Sequence, residues 1–221
     1  MMPGLPILML LLLGMGACAS GTDSSSASGT YLRWVTFEAA GHEHVLLRWQ
    51  KRQMPLRVHL PKPPPGMFED REAIYESVRD GVLDWEGVAG PGLPRFEFVE
   101  SPGDANIPIV WGSEPDGDWY IAKCSFDLNL RQRRFGVSRI LVTAKWGGNR
   151  VADSHDVHAV MLHEMGHALG FGGHSPDSGD IMYPAHQPGS DRGLSDRDRR
   201  TLEALYARPS GSRMAGAKRF R

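Results

Sequence analysis

The chain has 221 residues, of which 41% are hydrophobic and 23% charged, with a formal net charge of −1. That length suits one domain with tails, and the composition is that of a soluble globular protein. The near-neutral balance offers no argument for nucleic acid or an acidic substrate as partner. With only Cys18 and Cys124 present, no disulfide framework is expected.

Residues 1–19 read as a targeting segment. Residues 7–15 form an apolar run of signal-peptide length, too short to span a bilayer. Met15-Gly16-Ala17-Cys18 resembles a bacterial lipobox, in which Cys18 would carry the lipid. The competing reading is ordinary cleavage after Ala17-Cys18-Ala19, giving a freely secreted protein. The Gly/Ser-rich residues 21–30 behave as a flexible tether, which favours an exported cell-envelope lipoprotein. Residues 20–44 are thus expected to be tether and N-terminal extension, and residues 45–207 the folded domain.

Within that domain, Leu56 to Leu60 alternates as a first strand and ends at a proline-rich break. Residues 69–85 place Ala73, Ile74, Val78, Val82 and Trp85 on one face of an amphipathic helix. Residues 95–100 and 106–111 read as strands. Asp116-Gly117-Asp118 is a turn signal, where a structural Ca2+ ion is the lesser reading. Residues 119–129 and 137–144 are strands around the basic turn 131–134. Asp153-Ser154 opens a second helix, with Ser154 or Asp156 as its N-cap. Ser195 to Asp198 resembles a capping box before a third helix carrying Leu202, Leu205 and Tyr206 on one side. Residues 208–221 hold five basic and no acidic residues without periodicity, the pattern of a basic disordered tail. The expected fold class is α+β: a twisted five-stranded mixed sheet packed on two helices, with a C-terminal third helix.

The second helix carries His163-Glu164-Met165-Gly166-His167 and runs into Gly170 and His174. Residues four apart on a helix are separated by about 400° and about 6 Å, so His163 and His167 share a face and can bind one metal ion. Glu164 sits beside them, within reach of a metal-bound water. Gly170 suits a left-handed helix terminus, after which the chain can turn and bring His174 back as a third ligand. Downstream, Asp180-Ile181-Met182-Tyr183-Pro184 reads as a tight turn that sets Met182 beneath the metal.

These residues resemble the metzincin zinc peptidases, whose signature is H-E-x-x-H-x-x-G-x-x-H followed by a Met-turn. The nearest likeness is to the matrixin-type catalytic domain, through His163 to Gly170, His174-Ser175 and Met182 to Pro184. One departure stands out: the third-ligand slot of the signature falls on Gly173, and His174 comes one residue late. Either His174 takes over or another side chain completes the set; His174 is favoured, with Asp177 and His186 as fallbacks. The resemblance implies a zinc cleft below the sheet edge formed by residues 121–126, where an extended substrate adds as a strand. It also implies a substrate pocket walled by Tyr183, Pro184 and His186. Cys124 reads as a buried structural thiol. The Pro-Arg-Cys-Gly segment that caps zinc in many matrixins does not precede the domain, so cysteine-based latency is not expected. His155 and His158 fall off the ligand face, and His42, His44 and His59 are distant in sequence.

The expected activity is zinc-dependent hydrolysis of peptide bonds in extracytoplasmic proteins. His163, His167 and His174 would hold one Zn2+, and Glu164 would act as general base. The protein is expected to be a monomer that meets the membrane only through its lipid anchor. The competing readings are a surface-tethered, non-catalytic metal-containing binding protein with the same fold, and a zinc hydrolase of non-peptide amides.

Overall fold

The computed structural model describes residues 29–88, 90, 92–112, 120–129, 132, 134–143, 145–146, 150–185 and 192–219. The chain runs through short strands β1 (Phe37–Glu38) and β2 (His44–Leu46) into β3 (Leu56–His59), then helix α1 (Arg71–Leu83). Four longer or central strands and a small hairpin follow: β4 (Phe96–Phe98), β5 (Ile107–Trp111), β6 (Ala122–Asn129), β7 (Arg134–Val142), β8 (Lys145–Trp146) and β9 (Arg150–Val151). Helices α2 (Ser154–Ala168) and α3 (Asp196–Tyr206) and strand β10 (Ser212–Arg213) complete it. Among the described residues no helix is long and apolar enough to cross a membrane.

The main sheet is five-stranded in the order β4-β3-β5-β7-β6, parallel except for the antiparallel β6 at one edge. Its buried residues alternate along the strands: Leu56 and Val58, Ile107 and Ile109, Ile140 and Val142 are all essentially inaccessible. These side chains face α1 and α2, which account for the expected helices. α1 starts at Asp70, whose carboxylate accepts from the Ala73 amide at 2.9 Å. It buries Ile74, Val78 and Val82. The helices touch almost backbone to backbone, since a Cβ on Gly81 would lie 2.9 Å from the Met161 Cβ. Trp85 lies in a 3-10 turn just after α1 and donates its indole N–H to the Leu162 carbonyl at 3.0 Å.

Three sequence expectations are corrected. The N-cap of α2 is Asp153, neither Ser154 nor Asp156; its carboxylate accepts from the Asp156 amide at 2.9 Å. Residues 31–44, expected as an extension outside the folded domain, belong to it: Tyr31, Leu32, Val35 and Phe37 are buried in the core. Residues 208–219 are not a free tail, because β10 closes a second sheet, β1-β2-β10, with Ser212 opposite Leu46. The Lys218 amide then donates to the Arg33 carbonyl at 2.9 Å, and Arg213 and Arg219 pair with Glu43 and Glu38. The basic residues found acidic partners near the other end of the chain, which composition alone does not reveal.

Candidate metal centre

Helix α2 places the first two histidines one turn apart, with ring centroids 4.9 Å from each other. The helix then ends in a Schellman arrangement. Gly170 has φ +116°, the Phe171 amide bonds to the Gly166 carbonyl, and the Gly170 amide bonds to the His167 carbonyl, each at 3.0 Å. A Cβ on Gly170 would also collide with the Leu47 carbonyl oxygen, so glycine is required there twice over. The reversed chain brings His174 back. Its ring lies 5.2 Å from that of His163 in a stacked pose and 5.0 Å from that of His167, edge-on. One ligand atom from each of the three imidazoles falls within 4.8 Å of the others. The extra residue before His174 therefore does not exclude it from the cluster.

Hydrogen bonds set the tautomers of two rings. His163 Nδ1 lies 2.8 Å from the Ile181 carbonyl, and His167 Nδ1 lies 2.6 Å from the Phe171 carbonyl. A carbonyl only accepts, so each Nδ1 carries the proton and each Nε2 keeps its lone pair. Burial, against the opposing pull of the Phe171 carbonyl, pushes His167 down to about 4. Burial, with the neighbouring His167 and His163, pushes His174 down to about 2. Both imidazoles are thus neutral at pH 7, the form that binds metal. Three imidazole nitrogens that converge in this way fit a zinc ion.

Glu164, next to His163 in the chain, reaches the sheet edge. Its Oε2 accepts from the Cys124 amide of β6 at 2.6 Å. Burial raises the carboxyl to about 8, against the lowering pull of the Cys124 N–H and Lys123. That bond also defines the edge. The Cys124 amide faces the site, whereas the Ile121 carbonyl accepts from Thr143 N at 2.6 Å on the β7 side. By the alternation of an antiparallel ladder, Ala122, Cys124 and Phe126 present their backbone groups outward until the bulge between Phe126 and Leu128. Burial and the Glu164 charge raise the Cys124 thiol well above its ordinary range, so it is no ready thiolate.

Met182 is fully buried directly beneath the helix, because a Cβ on Gly166 would overlap its sulfur. Asp198 holds this turn. One oxygen accepts from the Ile181 and Ser195 amides at 2.9 and 2.8 Å, the other from the Tyr31 hydroxyl at 2.5 Å. Asp180 adds bonds from Ser175 and Ser195 hydroxyls. Sequence reasoning saw Asp198 only as a capping residue and missed Tyr31; no local signal marks either as a support of the site.

The fallback ligand Asp177 is instead paired with Arg197 at 2.6 Å. Tyr183 and Pro184 follow Met182 and are half-buried. His186, Cys18 and residues 116–118 lie outside the described residues. Other histidines have partners elsewhere: His158 with Asp84, His59 with the Val99 carbonyl, His44 with Thr36 and His42 with Glu38.

The matrixin (peptidase M10) family model matches residues 48–207. The match takes in the five-stranded sheet, α1, the three histidines, the Met182 turn and α3. It leaves out β1, β2 and β10. Spanning well over half of the sequence, it shows that the chain belongs to the matrixin family of zinc metallopeptidases.

Proposed function

We infer that this protein is a zinc-dependent endopeptidase. The observation that carries the reading is the convergence of His163, His167 and His174, with the buried Glu164 between them in the chain anchored to the edge strand β6. His163, His167 and His174 would hold the ion, with His163 and His167 oriented by their carbonyl partners. Bound there, zinc would supply Lewis-acid chemistry toward a scissile carbonyl and an attacking water. Glu164 takes the proton of the attacking water and delivers it to the leaving amine nitrogen. Burial raises the metal-free carboxyl to about 8, and the positive charge of a bound ion would lower it toward the ionised form that a general base needs.

The outward backbone groups of Ala122 and Phe126, with the Cys124 carbonyl, would receive an extended peptide by strand addition, while the Cys124 amide stays with Glu164. Tyr183 and Pro184, with His186, are the proposed wall of the pocket that selects its side chain. Lipidation at Cys18, with residues 21–30 as tether, would hold a monomeric enzyme at the outside of a membrane and direct it to extracytoplasmic proteins. The test is cleavage of casein or a peptide library with and without chelator, repeated with Glu164→Gln. That variant is expected to retain one zinc per chain and lose turnover by on the order of 10³-fold. Substantial residual proteolysis by it would sink the mechanism.

A further inference from the structure

Residues outside the family match pack onto the one place where the site departs from the family spacing. The loop from Gly170 to His174 carries one residue more than the signature, and two of its members are Gly172 and Gly173. The Gly172 amide donates to the Val35 carbonyl at 3.1 Å. A Cβ on Gly172 would sit 2.9 Å from the Thr36 carbonyl oxygen and equally close to the Phe37 ring. One on Gly173 would overlap the Trp34 carbonyl oxygen outright. At Gly173 the contact is backbone against backbone, and at Gly172 it is a backbone carbonyl together with the buried Phe37 ring.

The segment making this contact is itself pinned at both ends. Tyr31 donates its amide to Thr201 Oγ1 at 3.0 Å and its hydroxyl to Asp198, the carboxylate that also holds the Ile181 amide. At the other end the Phe37 ring meets Phe126 at 5.3 Å and Phe135 at 5.8 Å. Two consecutive glycines give a loop wide conformational freedom, and a third ligand on such a loop would be poorly placed if nothing held it. A rigid backing removes that freedom.

The geometry points to residues 34–37 as the positioning element of the third ligand: they clamp Gly172 and Gly173 by backbone contact and so set His174 against the other two histidines. The inference rests on the metal reading above and adds to it. A segment outside the matrixin match becomes part of the metal centre and absorbs the extra residue. Because coupling is reciprocal, metal binding must in turn steady residues 31–38.

Two measurements on the full chain test this with zinc alone as the probe. In the wild-type protein, amide hydrogen exchange is followed with and without zinc. The expected result is slower exchange in residues 31–38 as well as in 163–182, by about fivefold or more. Chelator competition then gives the zinc affinity of Gly173→Ala, which is expected to fall at least about tenfold, the scale of lost support behind a ligand. Gly179→Ala is the control; its Cβ would meet only the Asp177 carboxylate at 3.4 Å, and its affinity should stay within about twofold. If Gly173→Ala does not fold, exchange in the wild-type protein decides alone. Zinc uptake with unchanged exchange in 31–38, or wild-type affinity in a folded Gly173→Ala, overturns the clamp and leaves the metal reading standing. A wild-type protein that takes up no zinc overturns both.

Discussion

Helix α2 and the shell made by residues 29–47 and 208–219 serve one centre by opposite means. The helix is local: a cap at Asp153, two histidines four apart, a glycine stop at Gly170. The shell has strands of two or three residues and no periodicity of its own. Its bonds join residues far apart in sequence, such as Tyr31 and Asp198, 167 positions away. The difference teaches a division of labour. Local spacing decides which chemistry the site carries, and long-range packing decides how well the reacting groups are held.

The largest expected effect falls on the local side. His167→Ala removes a ligand whose ring is buried and oriented by the Phe171 carbonyl. Zinc content is expected to drop from one per chain to a small fraction. Proteolysis should fall by on the order of 10³-fold or more, measured by metal analysis and peptide cleavage. If the variant keeps stoichiometric zinc, the helix pair is not the core of the site.

Gly166→Ala probes the junction between helix and packing. Helix propensity alone favours alanine by about 1 kcal/mol. Against that, the added methyl would overlap the sulfur of Met182 and press on the Trp85 ring, both fully buried. Overpacking of this kind is worth about 1–3 kcal/mol of destabilisation, so packing should win and the urea midpoint should fall. A midpoint that rises would mean that local propensity governs even here.

The same division explains what the sequence made legible. All five strands of the main sheet and the three helices were readable, because β3 alternates, α1 repeats at 3.6 and β5 is an apolar run between turn signals. His163, Glu164, His167, Gly170 and Met182 were readable from spacing and from the family resemblance. The second sheet was not: Phe37–Glu38 and Ser212–Arg213 are too short to show alternation, and they pair with residues far from them in sequence. Basic residues 208–219 looked like a solvated end because charge composition cannot show that Glu38 and Glu43 await them. The role of Tyr31 was invisible for the same reason, since its partner belongs to α3.

A pH titration of the metal-free protein sets buried groups of opposite sign against each other. His167 stays neutral in the fold to about 4, while an unfolded histidine protonates near its ordinary 6.5. Its contribution is present above 6.5 and is lost as pH falls toward 4; His174, lowered to about 2, acts in the same direction. Glu164 does the reverse. Raised to about 8, it contributes stability below the ordinary 4.5 that is lost as pH rises through 8. Two histidines outweigh one carboxyl below pH 6.5; between 6.5 and 8 the carboxyl sets the slope, and the buried Cys124 thiol adds to the alkaline loss beyond that. Stability in the presence of chelator should therefore peak between about pH 6 and 7, with limbs on the order of 1 kcal/mol per pH unit. Glu164→Gln should flatten the alkaline limb and leave the acid limb sloping. An alkaline limb unchanged in that variant would show that Glu164 is ionised throughout.

The smallest effect tests the shell. Arg213 and Arg219 pair with Glu43 and Glu38 through side chains that are largely exposed, 68% and 49% for the two arginines. Exposed pairs of this kind contribute about 0.2–1 kcal/mol and are screened by salt. The shell's other attachments are of a different kind: the backbone pairing of β10 with β2, the Lys218 amide on the Arg33 carbonyl, and the buried rings of Tyr31 and Phe37. If these hold it, replacing both arginines with alanine should lower the melting temperature by less than about 2 °C, and 0.5 M salt should erase even that. A larger loss that salt reproduces in the wild-type protein would make the shell an electrostatic attachment. The third ligand would then be held most weakly where ionic strength is high, and zinc affinity measured across the same salt series should fall in parallel.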